Sequence, residues 1–347
     1  MGSISWWKWL SALIVLVTLI VGLTTPLAPG IPRVSPERIQ YGVTSVTVSG
    51  YNTNFKSAES SLQAWLTNGS AIFCPTEMAI VSETEFRVTF SVAQPVGRGF
   101  FDLYVNNDLD GTMRLPNAFI QDGLEVVENP PSRENCLQPI AVQEAAHYHF
   151  PNQPILNETI RNILFHVPAW FAMLFIMTLS LVFSIMHLKS GNMEYDLMAG
   201  DAAHAGLLFA FIGLATGSVW ARFTWGAWWV SDPRLNGAAL GVLVYLAYFV
   251  LKSSVNDREK SAGLGAVYNI FAYAMMILFV MVLPRMTASL HPGVGGNPAF
   301  SQYDLDDNLR MVFYPAVLGW IGLSIWIFQL KYRLHRLKYA QIMRNDD

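Results

Sequence analysis

The run ILFHVPAWFAMLFIMTLSLVFSIMH, from Ile163 to His187, contains no Asp, Glu, Lys or Arg. At about 1.5 Å per helical residue it crosses a hydrocarbon core of roughly 30 Å. Five other stretches are similarly apolar, the first carrying a single charge at Lys8: Trp6 to Leu27, Ala202 to Trp220, Leu235 to Leu251, Leu264 to Leu283 and Met311 to Leu330. Backbone polar groups find no water in lipid, so apolar runs of this length cross it as helices. Composition points the same way, with 52% hydrophobic and 14% charged residues against about a quarter charged in soluble proteins. The expected fold class is therefore an all-α polytopic membrane bundle of six transmembrane helices.

The first run, within residues 1–28, has two readings. Lys8 ahead of an apolar core suits a signal peptide, but Leu23-Thr24-Thr25-Pro26 offers no small-x-small cleavage site, which favours an uncleaved anchor. Basic residues near span ends set the orientation. Lys8, Lys189, Lys252, Arg258, Lys260, Lys331, Arg333, Arg336, Lys338 and Arg344 fall on one side when six spans alternate, and Arg222, Arg234, Arg285 and Arg310 on the other. Both termini, including the tail 336–347, are then cytoplasmic. With a formal net charge of −3 and no long basic run, the chain lacks the electrostatic footprint of a nucleic-acid binder.

Between the first two spans the pattern changes. Val43 to Val48, Phe86 to Phe90 and Phe101 to Val105 alternate β-branched or aromatic residues with polar ones, and Gly50, Gly97, Gly99 and Asn106-Asn107 bound them. Residues 33–127 are expected to form an inserted all-β domain on the outer, periplasmic side. Ser49-Gly50-Tyr51-Asn52-Thr53-Asn54-Phe55 resembles the opening of immunoglobulin-like domains of the IPT/TIG type, which implies an Ig-like sandwich without specifying a ligand. Residues 128–160, rich in proline, read as a linker. Cys74 and Cys136 are not a C-x-x-C pair; outside the cytoplasm they are candidates for a structural disulfide, the alternative being two buried thiols.

The chemistry concentrates in Thr224 to Leu235, TWGAWWVSDPRL, within an outer loop 220–235. Trp225, Trp228 and Trp229 read either as an aromatic belt or as a binding surface. A belt does not require Gly226 between indoles, nor Asp232-Pro233-Arg234 directly after them. A glycine admits close backbone approach, indoles offer flat apolar faces, and Arg234 offers a planar fork to a carboxylate. A large planar ligand with acidic edges fits that set. His166 opens the second span, with Pro168 in its first turn, and His291 follows the fifth span, so both meet the same face as the Trp loop. Haem iron takes axial imidazoles, its macrocycle is apolar and its propionates are anionic. Each histidine alone also reads as an interfacial residue bonded to a headgroup or to backbone. Arg222, Arg234 and Arg285 are candidate propionate partners, or else snorkel to lipid phosphate. Trp220, Phe223 and Trp320 extend the apolar wall or simply pack. His147 and His149 flank Tyr148 in a weak metal-binding pattern, and His187 and His204 at the opposite ends read as structural.

These residues together resemble the haem-handling proteins of cytochrome c maturation, particularly the CcmC type within the Trp-rich WWD family. The resemblance rests on Leu164-Phe165-His166-Val167-Pro168, Thr216-Gly217-Ser218-Val219-Trp220, Trp225-Gly226-Ala227-Trp228-Trp229-Val230 with Asp232 and Arg234-Leu235, and Leu290-His291 with Gly293. It covers roughly residues 160–335, within a five-helix haem-handling domain 161–335. It implies a bacterial inner-membrane protein that is not an enzyme. In such proteins Trp220, Trp225, Gly226, Trp228, Trp229 and Asp232 would belong to the haem-binding loop, and His166 and His291 would ligate the iron of haem b. The cargo would pass to a CcmE-type chaperone with help from ABC transporter subunits. Two features depart from the pattern: Ser231-Asp232 stands where Trp-Asp is usual, and the Ig-like insert is atypical. The rival readings are a component of a CcsA-like haem lyase and a non-haem receptor with an Ig-like sensor. Arg234-Leu235 after Asp232-Pro233 differs from the synthases, which commonly carry Asp-Pro, one residue, then Glu.

Overall fold

A computed structural model describes residues 5–39, 42–69, 72–92, 99–121, 148–152, 156–291 and 305–345. Expectations for Gly97, Cys136, His147, Gly293 and most of 128–160 lie outside them. The chain divides into two compact units, Met1–Thr24 with Thr159–Asp347, and Thr25–Glu158.

Among its described residues the second unit is built of β-strands, with one 3-10 turn at Glu59–Ser61. Its strands are β1 (Gly30–Ser35), β2 (Arg38–Ile39), β3 (Gly42–Tyr51), β4 (Gln63–Thr67), β5 (Ile72–Phe73), β6 (Pro75–Ser82), β7 (Glu85–Val92), β8 (Gly99–Asn107) and β9 (Gly111–Gln121). One sheet has the order β1-β3-β7-β6 and the other β2-β9-β8-β4-β5. The runs expected from alternation lie inside β3, β7 and β8. Successive side chains leave a strand on opposite faces, so Val46 and Val48, then Phe86, Val88 and Phe90, turn inward. They share one buried core with Leu66, Phe101, Leu103, Val105 and Phe119 of the other sheet. A carboxylate ties the edges: Asp110 accepts from the backbone N–H and side-chain amide of Asn54, both at 2.8 Å, and from Asn107 Nδ2 at 2.8 Å. This network holds the β8–β9 turn against the loop after β3. Cys74 is disulfide-bonded.

The first unit contains α1 (Trp6–Thr24), a 3-10 segment (Asn157–Leu164), α2 (His166–Ser190), α3 (Met193–Trp225), α4 (Pro233–Ser254), α5 (Arg258–Ile277), a π-helical turn (Leu278–Val282), α6 (Leu283–Met286) and α7 (Asp307–Asn345). Among the described residues six helical segments are long and apolar enough to cross a membrane, as the sequence leads one to expect. Their ends run past the apolar stretches. α3 starts at Met193 rather than Ala202, because Asn192 caps it by accepting from Glu194 N–H at 2.9 Å. α7 continues to Asn345. Their polar extensions meet: His335 Nδ1 lies 3.2 Å from Asp201 Oδ1, and Tyr332 bonds Glu194. Within the bundle, Asn269 Nδ2 on α5 reaches the hydroxyls of Ser180 and Ser184 on α2, each at 2.7 Å. Small residues such as Ala169, Ala172, Ala203 and Ala210 line the remaining contacts, as expected where association depends on close packing.

Candidate functional site

Four pieces of chain converge at one end of the bundle: the start of α2, the end of α3 with its following loop, the N-terminus of α4, and the loop after α6. α3 stops because Gly226 adopts φ +81°, a left-handed C-cap that strains any residue with a Cβ. The loop then folds back, Ser218 Oγ donating to the Trp228 carbonyl at 2.8 Å and Arg222 to that of Gly226. Gly226 thus has a local structural reason in addition to any ligand.

His166 is the first residue of α2. Its Nδ1 lies 3.0 Å from Thr216 Oγ1 on α3. The Thr216 hydroxyl in turn is 2.8 Å from the carbonyl of Ile212 and 3.1 Å from that of Gly213, so its hydrogen is committed to backbone. The oxygen can then only accept, the proton sits on Nδ1, and Nε2 keeps its lone pair. Gly217 makes room for this ring, since a Cβ there would stand 2.8 Å from His166 Cε1.

His291 is held from another direction. Its ring packs against Trp220 and Trp225, with centroids at 5.3 and 5.1 Å, and the two indoles pack edge to face at 4.7 Å. Asp232, 1% exposed, caps α4 by accepting from Arg234 N–H at 2.9 Å. The same carboxylate accepts from Leu290 N–H at 2.8 Å and from Ser289 Oγ at 2.9 Å. Ser289 Oγ also accepts from His291 N–H at 3.2 Å. Burial opposes the charge on Asp232, but the N–H groups of Leu290 and Arg234, the Ser289 hydroxyl and His291 outweigh it and hold the carboxyl below its usual value. Burial pushes His291 down to about 4, against the opposing attraction of Asp232. Its imidazole is therefore neutral and able to donate a lone pair near neutral pH.

The two histidines meet α3 about one turn apart, His166 at Thr216 and His291 at Trp220, and His291 lies within electrostatic reach of Arg234, as Arg234 does of Arg285. Trp228 and Trp229 are 58% and 43% exposed and leave broad faces open, Trp229 Nε1 donating to Asn236 at 3.2 Å. Gly237 on α4 lets the π-helical turn approach, a Cβ there falling 2.2 Å from the Phe279 carbonyl oxygen. Thr216, Gly217, Ser218 and Ser289 had no physical role in the sequence reading. A glycine inside a helix beside a histidine-bearing span was the available signal for Gly217. Within the same unit, His187 Nδ1 lies near the Asn192 carbonyl at 3.0 Å and His204 near that of Gly200 at 2.9 Å. Trp320 packs in the bundle core against Phe209 at 6.0 Å.

Chemically, the site offers two imidazoles, an indole wall and two nearby guanidinium groups. That donor set fits haem.

A family model described as Heme exporter protein C (CcmC) matches residues 140–340. Heme exporter protein C of Haemophilus influenzae is 29% identical over 145 residues, 39% of this chain and 54% of that protein. Its counterpart in Bradyrhizobium diazoefficiens is 34% identical over 110 residues, 31% of this chain and 41% of that protein. Cytochrome c biogenesis protein CcsA of Prochlorococcus marinus is 31% identical over 101 residues, 29% of this chain and 32% of that protein. The chain spans about half the length, or less, of these relatives.

Proposed function

Because the chain belongs to the CcmC family, Heme exporter protein C, we propose that it binds haem b at the periplasmic face of a bacterial inner membrane and delivers it to a CcmE-type chaperone, assisted by ABC transporter subunits, for cytochrome c maturation. His166 and His291 take the iron through Nε2. Trp220, Trp225, Trp228 and Trp229 supply the apolar wall, and Arg234 and Arg285, with Arg222 in the last turn of α3, would face the propionates. Both termini are cytoplasmic, and the β unit is an Ig-like sandwich at residues 33–127, joined by the linker 128–160 to the haem-handling domain 161–335. The observation that carries the reading is convergence: His166, which opens α2, and His291, which follows α6, both meet the C-terminal part of α3, the first at Thr216 and the second at Trp220 and Trp225.

Delivery rather than bond-forming catalysis suits this site, because exposed Trp228 and Trp229 leave an edge of the cargo accessible to an acceptor. Axial ligands exchanged one at a time spare the iron an unprotected state. The likeness to CcsA keeps a second reading, part of a haem lyase, which predicts a thioether product with apocytochrome alone. Absorbance of the purified full chain tests the first: wild type carries a two-histidine haem spectrum, and His166→Ala and His291→Ala each shift it. Unchanged spectra in both variants would remove the ligand assignment, and absence of any haem band in wild type would favour the receptor reading.

A further inference from the structure

We infer that Asp232 is a positioning residue for His291, setting that histidine's orientation and its strength as an iron donor rather than touching haem. The inference rests on the reading of His291 as an axial ligand. The carboxylate is buried, and both oxygens are engaged within the protein: Oδ1 receives Arg234 N–H at 2.9 Å, while Oδ2 receives Leu290 N–H at 2.8 Å and Ser289 Oγ at 2.9 Å. None of these bonds points to a ligand. The bonds from Ser289 and Leu290 tie the segment that carries His291 to the N-terminus of α4, which the bond from Arg234 caps.

The remaining neighbour is the histidine ring itself. Nδ1 of His291 is buried and lies 3.3 Å from Asp232 Oδ1, within ion-pair range but without the alignment of a hydrogen bond. A small rotation of the imidazole, such as seating on a metal would impose, turns that approach into an Nδ1–H to carboxylate bond. A ligating imidazole that donates its other N–H to a carboxylate is fixed in tautomer and made more basic. His166 has a hydroxyl in the equivalent place, at 3.0 Å, which accepts a proton bond but carries no charge. The two axial ligands are therefore unequal, with His291 the more electron-rich donor.

Asp232→Asn is the informative variant, because asparagine caps a helix as well as aspartate does and so preserves the start of α4 while removing the charge. In the full-length purified protein, haem affinity is expected to fall about 10–100-fold, and the reduction potential to rise, since a weaker donor stabilises ferric iron less. Ser289→Ala, which deletes the hydroxyl between His291 N–H and the carboxylate, should shift the potential in the same direction by less, and it provides the same reading if Asp232→Asn inserts poorly. Adding Asp232→Asn to His291→Ala should change neither affinity nor potential beyond His291→Ala alone, as required of a residue acting through another. Wild-type potential and affinity in Asp232→Asn and Ser289→Ala, alongside a changed spectrum in His291→Ala, would overturn the positioning role and leave the ligand assignment standing. An unchanged spectrum in His291→Ala would overturn both.

Discussion

Gly217→Ala tests how tightly the helix pair α2–α3 sets His166. The added Cβ would stand 2.8 Å from Cε1 of the imidazole, 3.4 Å from Nδ1 and 3.7 Å from Nε2. Carbon atoms rest at about 3.5–4.0 Å, so the ring must retreat by roughly 0.7 Å or more. Both partners sit on packed helices, so the retreat also strains the 3.0 Å contact to Thr216. Metal–ligand distances tolerate only about 0.2 Å. Overpacking of this kind costs about 1–3 kcal/mol, and if that cost falls on the loaded state, haem affinity drops roughly 5- to 150-fold. Helix propensity works in the opposite direction, alanine being favoured over glycine by about 1 kcal/mol, so general unfolding is not the expected outcome. Haem titration followed by absorbance gives the affinity. Gly200→Ala on the same helix is the control, since its Cβ would meet Tyr248 Oη at 3.8 Å and Lys252 Nζ at 3.9 Å, ordinary contacts. Wild-type affinity and spectrum in Gly217→Ala, with His166→Ala altering both, would refute the steric argument.

Replacing residues 33–127 by a short linker should leave the haem spectrum and affinity of the membrane domain intact while reducing transfer to the chaperone; loss of haem from a well-inserted deletion would mean that the β unit helps to build the site. The depressed His291 pKa predicts a pH dependence in the apoprotein. Burial disfavours the imidazolium, so the folded-state value lies near 4 against 6.5 in the unfolded chain. The contribution of the neutral ring is complete above 6.5 and is lost as pH falls from about 6.5 towards 4, where the unfolded chain binds the proton and the folded one does not. Thermal unfolding scanned across that window should show a shallower decline in His291→Gln than in wild type, and equal slopes would contradict it.

The six spans were legible because lipid leaves a chain few options: an apolar run of about twenty residues must be helical. Their polar extensions were not, since hydropathy ends at Asp201 and Lys331 whereas helical hydrogen bonding continues wherever partners exist, here His335 on Asp201 and Tyr332 on Glu194. In the β unit, alternation located β3, β7 and β8 because each puts every second side chain into the shared core. β6 escaped notice because it is an edge strand with most of its residues exposed, so burial imposes no period on it.

Candidate ligands were visible for a related reason: histidine and tryptophan at span ends are uncommon enough to ask for an explanation, and alternation of spans alone puts His166, the indoles and His291 at one end. What holds them there is a matter of ordinary residues in ordinary places. Thr216 is a threonine in a helix, and only the fate of its hydroxyl hydrogen, given to the Ile212 or Gly213 carbonyl, decides which nitrogen of His166 stays bare. Asp232 looks from sequence like a helix cap next to a Trp loop, and it is one. Its second task depends on Ser289 and Leu290, 57 and 58 residues away in the chain, a distance that no local pattern spans. A site made from one histidine on a packed helix and another on a loop fastened by a single buried carboxylate draws its candidate ligands from residue types that sequence displays and its geometry from contacts that sequence conceals.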